Sequence, residues 1–399
     1  MPIDLILRGF FLGFTVCFAL SIGFLFGKAS TVFTVKKALS QLGVKGVSEE
    51  KQYPLLKYSF SELSKRGGVA SKISIDRELL KTAEFTAYVF HYESDGRKIS
   101  GQLNVPNGDA NVNRPVIVLL RGYVDPAEYA IGKGSSPTAA ALANVGYITF
   151  APDFLGFAES DQPPSEPLAE RFVKPMNVLD LFASIEAMDE QQLLFEGKNT
   201  ATIDGKRLGL WGHSNGGQIA ISYLEITGRP IPTVLLAPVS KYFPYSVLFF
   251  TGEADDHGKG MRSVIAKFEE TYNIDQFSIG NNLDHVSAKI QLHQGGKDDS
   301  VPQSWSDDFY SYFAGKGKKD QIEYFVYPEA DHLLIPNTDT VKQRAVAFFD
   351  DQVKHPKPTP TPEVTVSPEP IEATEFAVPV ATNAATLILE EKEASEEGK

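Results

Sequence analysis

Cysteine is nearly absent: the 399 residues include one, Cys17. No intrachain disulfide can form and no cysteine-based metal site exists, which excludes a disulfide-stapled secreted fold but leaves export open. Positive charge is also scarce. Lys and Arg number 38 against 51 Asp and Glu, a formal charge of -13, and no basic cluster of the kind that binds nucleic acid stands anywhere. No internal repeat is found, so solenoids and propellers are not indicated. Uncharged apolar runs of membrane-spanning length are limited to one. With 42% hydrophobic and 22% charged residues, the rest has globular composition rather than that of a disordered, collagenous or coiled-coil chain.

The one apolar run is Gly9 to Gly27, GFFLGFTVCFALSIGFLFG. As a helix it rises roughly 28 Å, close to the thickness of a bilayer's hydrocarbon core. A retained membrane anchor is expected, with a cleaved signal as the alternative, because Gly27 and Ala29 flank Lys28 like a cleavage site. Arg8 precedes the run, whereas Lys28, Lys36 and Lys37 follow it. That balance favours a cytoplasmic body. The signal-like features and the C-terminal tail favour the extracytoplasmic side, which is the expectation adopted. From His355 the tail has seven prolines and nine Glu against three Lys, a composition that cannot bury enough surface to order itself. The expected organisation is a lipid-facing anchor or signal at 1–28, an extension at 29–82, a globular domain at 83–353 and a disordered tail at 354–399.

The body alternates strands and helices. Phe85–Phe90 and Ile99–Val105 flank the turn Ser94-Asp95-Gly96. Pro115–Leu120, Tyr147–Ala151, Leu208–Trp211, Val234–Leu236, Ile290–His293 and Ile322–Val326 are short apolar runs of the kind buried in parallel sheets. Helical spacing occupies Val178–Met188, Gln218–Ile226, Ser304–Phe313 and Thr340–Val353, and another helix opens at Ser136-Pro137 and closes at Gly146. This pattern predicts an α/β fold: a mostly parallel sheet covered by helices on both faces. The alternation fails over 239–288, too long for a plain loop, and a small helical cap is expected there.

After the strand ending at Trp211 stands Gly212-His213-Ser214-Asn215-Gly216-Gly217, then a helix. Gly-x-Ser-x-Gly in that context presents a serine hydroxyl on a tight turn, where crowding demands glycine on either side. The N–H of Asn215, at the helix start, is placed to stabilise an oxyanion. A serine needs a histidine to take its proton and a carboxylate to orient that histidine. Of the later histidines, His355 opens the tail, His293 lies in a strand, and His257 and His285 lie in the cap region. His332 follows Ile322–Val326 directly and is the expected base. The Gly-rich loop after Ile290–His293 carries Asp298 and Asp299; Asp298 is the preferred acid and Asp299 the alternative.

Three segments carry a family likeness: Gly-His-Ser-Asn-Gly-Gly around Ser214, His-Gln-Gly-Gly-Lys-Asp-Asp-Ser-Val-Pro around Asp298, and Tyr-Pro-Glu-Ala-Asp-His ending at His332. The body, from about Phe85 to Asp351, resembles the α/β-hydrolase superfamily, and within it the catalytic domain of the prolyl oligopeptidase family of serine peptidases. In that family the acid stands three residues before the Val, which selects Asp298. Members often carry an N-terminal β-propeller, for which the roughly 55 residues between the apolar run and the first strand are too few. The loop after Pro115–Leu120 reads Arg121-Gly122-Tyr123, where the family usually has Tyr or His followed by small residues. A second oxyanion donor is expected from this loop, with the Tyr123 N–H as the candidate. Arg121 is a candidate for a substrate carboxylate, with a structural pair to Asp153 as the alternative. The resemblance implies a serine hydrolase working through an acyl-enzyme without metal or organic cofactor, cleaving a small peptide, or alternatively a carboxylic ester. A non-catalytic binding module displayed on a membrane is the distant alternative.

Overall fold

A computed structural model describes residues 53–252 and 255–355. The run Gly9–Gly27 and the tail beyond His355 lie outside the described residues, so the expectations about them are not addressed by it. Among the described residues no helix is long and apolar enough to cross a membrane.

Ten strands form one sheet: β1 (Ser74–Lys81), β2 (Phe85–Ser94), β3 (Arg97–Pro106), β4 (Asn113–Leu120), β5 (Ile148–Pro152), β6 (Gln192–Phe195), β7 (Lys198–His213), β8 (Thr233–Leu236), β9 (Ile290–Gly295) and β10 (Ile322–Tyr327). Their order is β1-β2-β3-β5-β4-β7-β8-β9-β10, with β6 paired to β7 off that path. The first three pairings are antiparallel, and from β5 to β10 every neighbour is parallel. Parallel strands need crossovers, and helices supply them on both faces. On one face lie α1 (Phe60–Arg66), α3 (Ala169–Glu186), α4 (Asn215–Thr227) and α7 (Gln303–Gly315), packed over the main apolar cluster. On the other, α2 (Ser136–Asn144) and α8 (Thr338–Phe349) cover Ile117, Leu119 and Trp211. This is the α/β-hydrolase fold. The interval 239–288 carries α5 (Tyr245–Thr251) and α6 (Lys259–Glu269), which contribute to the wall of the cavity, and two 3₁₀ turns, the second of which, Leu283–His285, lies beside the end of α4.

Three elements depart from the sequence reading. β1 belongs to the sheet although it lies within the segment assigned as an extension. Its sequence SIDRELLK is an exposed edge with two register irregularities, so no apolar alternation marks it. The helix expected from Val178 begins at Ala169, because Pro175 and its charged neighbours interrupt the periodicity without ending the helix. β7 starts at Lys198 rather than Leu208: its polar first half hairpins with β6, and Asp204-Gly205 is an irregularity inside the strand.

The segment before β1 is fastened to α3. Arg66 grips Asp180 with two bonds, Nη1–Oδ1 at 2.7 Å and Nη2–Oδ2 at 2.9 Å. The same fully buried carboxylate accepts from Val69 N–H and Ser94 Oγ–H. A buried charge of this kind holds only when paired and saturated with hydrogen bonds.

Candidate active site

The elbow is built from two constraints. Ser214 sits at the end of the central strand β7 with φ 54 and ψ -119, a conformation that costs a non-glycine residue about 1–3 kcal/mol. The turn is also too tight for side chains. A Cβ on Gly216 would lie 1.9 Å from the Leu120 carbonyl oxygen, and one on Gly212 would lie 2.7 Å from the Gly216 oxygen. The glycines are therefore required by space. Among the described residues the Ser214 hydroxyl makes no hydrogen bond, and the residue lines a cavity of about 900 Å³.

The acid and the base come from the ends of the next parallel strands, on the same edge of the sheet. Asp298 follows β9 and His332 follows β10. His332 Nδ1 donates to Asp298 Oδ2 at 2.9 Å, leaving Nε2 free to face the cavity. The Asp298 side chain is 0% exposed. Its Oδ1 accepts from the N–H groups of Ser300 and Val301, and its Oδ2 also accepts from Gln294 Nε2. Burial pushes this carboxyl up, but the bond from His332 and the two backbone donors outweigh it and hold it below its usual range. Asp299, the alternative, is exposed and meets only the Ser300 hydroxyl. His293 is a core residue within β9, bonded to Tyr327 and Gln291.

The oxyanion candidates also meet at this cavity. Asn215 opens α4, so its N–H has no helical acceptor. Gly122 lies against the nucleophile, where a Cβ would stand 3.1 Å from Ser214 Cβ, and Tyr123 follows it along the cavity wall. The Tyr123 N–H meets no acceptor among the described residues. Its ring is 74% exposed, at the mouth.

Arg121 corrects an expectation. It is only 5% exposed and does not line the cavity. Its guanidinium lies between the rings of Phe157 and Tyr129, 4.1 and 4.4 Å from their centroids. It donates to the carbonyls of Gly122 and Asp153, not to the Asp153 carboxylate. Behind the loop, held by two rings and two backbone carbonyls, it shapes the Gly122 turn and does not face the cavity.

Two residues escaped the sequence reading. His213, the variable position of the motif, donates from Nε2 to the carbonyl of His332 at 3.0 Å, and the two rings lie tilted with centroids 4.8 Å apart. Burial and the neighbouring imidazole push it down to about 4, so it is a neutral strut. Gln294 braces Asp298 and is itself fixed by Ser306. Neither carries a signal beyond its place beside a motif residue. The one His–carboxylate cluster among the described residues, Asp76, His91 and Glu159, lies away from this cavity, and Arg77 already pairs with Glu159, which leaves a poor donor set for a cation.

No curated protein sequence matches the chain. Among solved structures, acetyl xylan esterase 1 from Thermoanaerobacterium sp. JW/SL YS485 is 14% identical with TM-score 0.48, the match covering 75% of this chain and 94% of that one. Est1E from Butyrivibrio proteoclasticus, solved with ferulic acid, is 15% identical at 0.46, covering 66% and 99%. The esterase PF2001 of Pyrococcus furiosus is 18% identical at 0.44, covering 70% and 98%. Residues 135–356, more than half of the chain, match the model of the prolyl oligopeptidase family, a span that takes in Ser214, Asp298 and His332. The chain belongs to the prolyl oligopeptidase family and is a serine hydrolase of the α/β-hydrolase fold.

Proposed function

We propose that the protein is a peptidase of small peptides that works through the triad Ser214, His332 and Asp298. The observation that carries this reading is the His332–Asp298 bond at the wall of the cavity that Ser214 lines. Held through Nδ1, the imidazole keeps Nε2 unprotonated toward the cavity, the tautomer a general base requires. Ser214 Oγ attacks the substrate carbonyl as His332 takes its proton. The N–H groups of Asn215 and Tyr123 receive the oxyanion. His332 then protonates the leaving amine, and water releases the acyl group by the reverse sequence. Apo geometry without a Ser–His hydrogen bond is compatible with this, since such bonds tighten when substrate enters. The cap helices and the segment around Tyr58 and Phe60 close over the cavity, which suits short substrates. Family membership supports peptide over ester as substrate; the triad serves either, because walls and not nucleophile set specificity. A membrane tether is part of the proposal and rests on the uncharged run Gly9–Gly27; the body is proposed to lie outside the cytoplasm on the signal-like features of that run and the composition of the C-terminal tail.

The test is labelling by a fluorophosphonate probe, with S214A and H332A as controls, followed by turnover of short peptides against matched esters. Labelling lost in both variants, with amide turnover in the wild type, is expected. A folded wild type that does not label overturns the triad, and turnover of esters alone moves the assignment to carboxylesterase.

A further inference from the structure

The cavity holds a cation that no carboxylate among the described residues pairs with. Its charged lining, apart from the histidines, is Glu170, Arg171 and Lys174, all at the start of α3. Lys174 Nζ pairs with Glu170 Oε1 at 3.0 Å. Arg171 has no carboxylate within ion-pair distance among the described residues. Its hydrogen bonds all leave from Nη2, to Gln218 Oε1 and to Ser246 Oγ at 3.3 Å, and both acceptors are neutral. Nη1 and Nε have no hydrogen-bond partner there. Burial pushes the guanidinium down to about 10, with no anion opposing the shift. Arg171 is half-buried, with Nη1 and Nε open to the cavity, so its charge is presented to whatever enters.

Its position relates it to the reacting serine. Gln218, which Arg171 grips, is one helical turn beyond Ser214 on α4, its N–H bonded to the Ser214 carbonyl at 3.2 Å. One turn is about 6 Å along the axis. Gln218 also donates to the Lys241 carbonyl, so the strap below the cap fixes the guanidinium's acceptor.

We propose that Arg171 receives a carboxylate of the substrate, making this a hydrolase for substrates that carry a negative charge a few bonds from the scissile carbonyl. With Nη2 held by Gln218 and Ser246, Nη1 and Nε are left to donate singly to an anion in the cavity, with the guanidinium charge behind them. The inference rests on the serine-hydrolase reading above. The carboxylate belongs either to the acyl half or to the leaving half, and two substrate pairs separate these sources. Mono-p-nitrophenyl glutarate against p-nitrophenyl valerate reads the acyl half; a short peptide with a free C-terminus against its C-terminal amide reads the leaving half.

The full chain is expected to prefer the anionic member of one pair by at least about tenfold in kcat/KM. R171Q should lower that member about 100-fold more than its neutral partner, the effect of stranding one side of a buried charge pair. R171K, which keeps the charge but loses the bonds to Gln218 and Ser246 that place it, should fall between. Glutarate, but not glutaramide, should slow fluorophosphonate labelling of the wild type, an arm independent of whether any variant folds. Equal losses on both members in R171Q, no anionic preference in either pair, or no protection by glutarate each overturn the proposal. Absence of labelling overturns the triad instead, and glutarate binding is then read by its shift of the wild-type melting temperature.

Discussion

Asp298→Asn is the sharpest probe of the triad, because the surroundings dictate how the amide must sit. Oδ1 of Asp298 accepts two backbone N–H groups, from Ser300 at 2.9 Å and Val301 at 2.8 Å. In D298N the amide oxygen must stay there, since turning the NH₂ toward two N–H donors strands both. The NH₂ then occupies the Oδ2 position, facing His332 Nδ1 and Gln294 Nε2. Gln294 cannot flip to accept, because its Nε2 also donates to the carbonyls of Gly295 and Val301, which its Oε1 would then oppose. His332 can adapt only by giving up its Nδ1 proton and carrying it on Nε2. That tautomer cannot take a proton from Ser214.

The loss expected is therefore that of a base in the wrong tautomer, about 10⁴-fold in kcat, or about 5 kcal/mol of barrier. The opposed NH₂ groups add about 1–3 kcal/mol of destabilisation. The assay is ester or peptide turnover alongside the second-order rate of fluorophosphonate labelling, with melting temperature as a check on folding. D299N is the internal control: Asp299 is exposed and touches only Ser300, so its turnover should stay within about threefold of wild type. Retention of more than a tenth of wild-type kcat by folded D298N would refute the tautomer argument and reopen the identity of the acid.

Two further predictions concern the scaffold. G216A should lose about 3 kcal/mol or more and melt several degrees lower, because its Cβ would stand 1.9 Å from the β4 backbone at Leu120; G315A, with nothing within 4 Å, should be neutral or slightly stabilised, and equal melting of the two variants would contradict the crowding argument. Glu225 gives a pH dependence. It accepts from the Gly280 and Asn282 N–H groups, and burial pushes it from 4.5 up to about 7 against those bonds. A raised carboxyl prefers its proton in the folded state, so its penalty is absent below pH 4.5, grows between 4.5 and about 7, and is complete above, at about 3 kcal/mol. The wild-type melting temperature, measured relative to E225Q, should therefore fall through that window and then level off; a difference independent of pH would refute the assignment.

What the sequence disclosed follows from how local each constraint is. Buried parallel strands such as Pro115–Leu120 are short, wholly apolar and bounded by glycine, so they stand out without tertiary context. The elbow is legible for the same reason: Gly212, Ser214 and Gly216 lie within one turn, and the crowding that requires glycine arises within a few residues and from the adjacent strand. β1 and the first half of β7 stayed hidden because they are partly exposed and polar, and their strand character comes from the partner they pair with. Arg121 was misread because nothing in Arg-Gly-Tyr reveals that Tyr129 and Phe157 fold back over the guanidinium. Arg171 was overlooked for the converse reason. It looks like one more charge in a polar stretch, and only the placement of Glu170 on Lys174 leaves it without a carboxylate partner among the described residues.

The same distinction separates chemistry from specificity in this protein. Ser214, Asp298 and His332 each follow a parallel strand, β7, β9 and β10, so the sheet alone brings them to one edge, and short motifs suffice to encode them. The walls of the cavity come from Tyr58 before β1, Arg171 at the start of α3, Phe243 after β8 and Phe277 beyond α6. No spacing rule links these four. Phe172 of α3 packs ring to ring with Phe243, Phe268 and Phe277 of the cap, which brings the start of α3 and the cap together. A transition state imposes the same geometry on every member of a fold, whereas a substrate imposes its shape and charge on one. The reaction class could therefore be reached through motifs, while the substrate class has to be reached through the charge balance of walls that only the folded chain assembles.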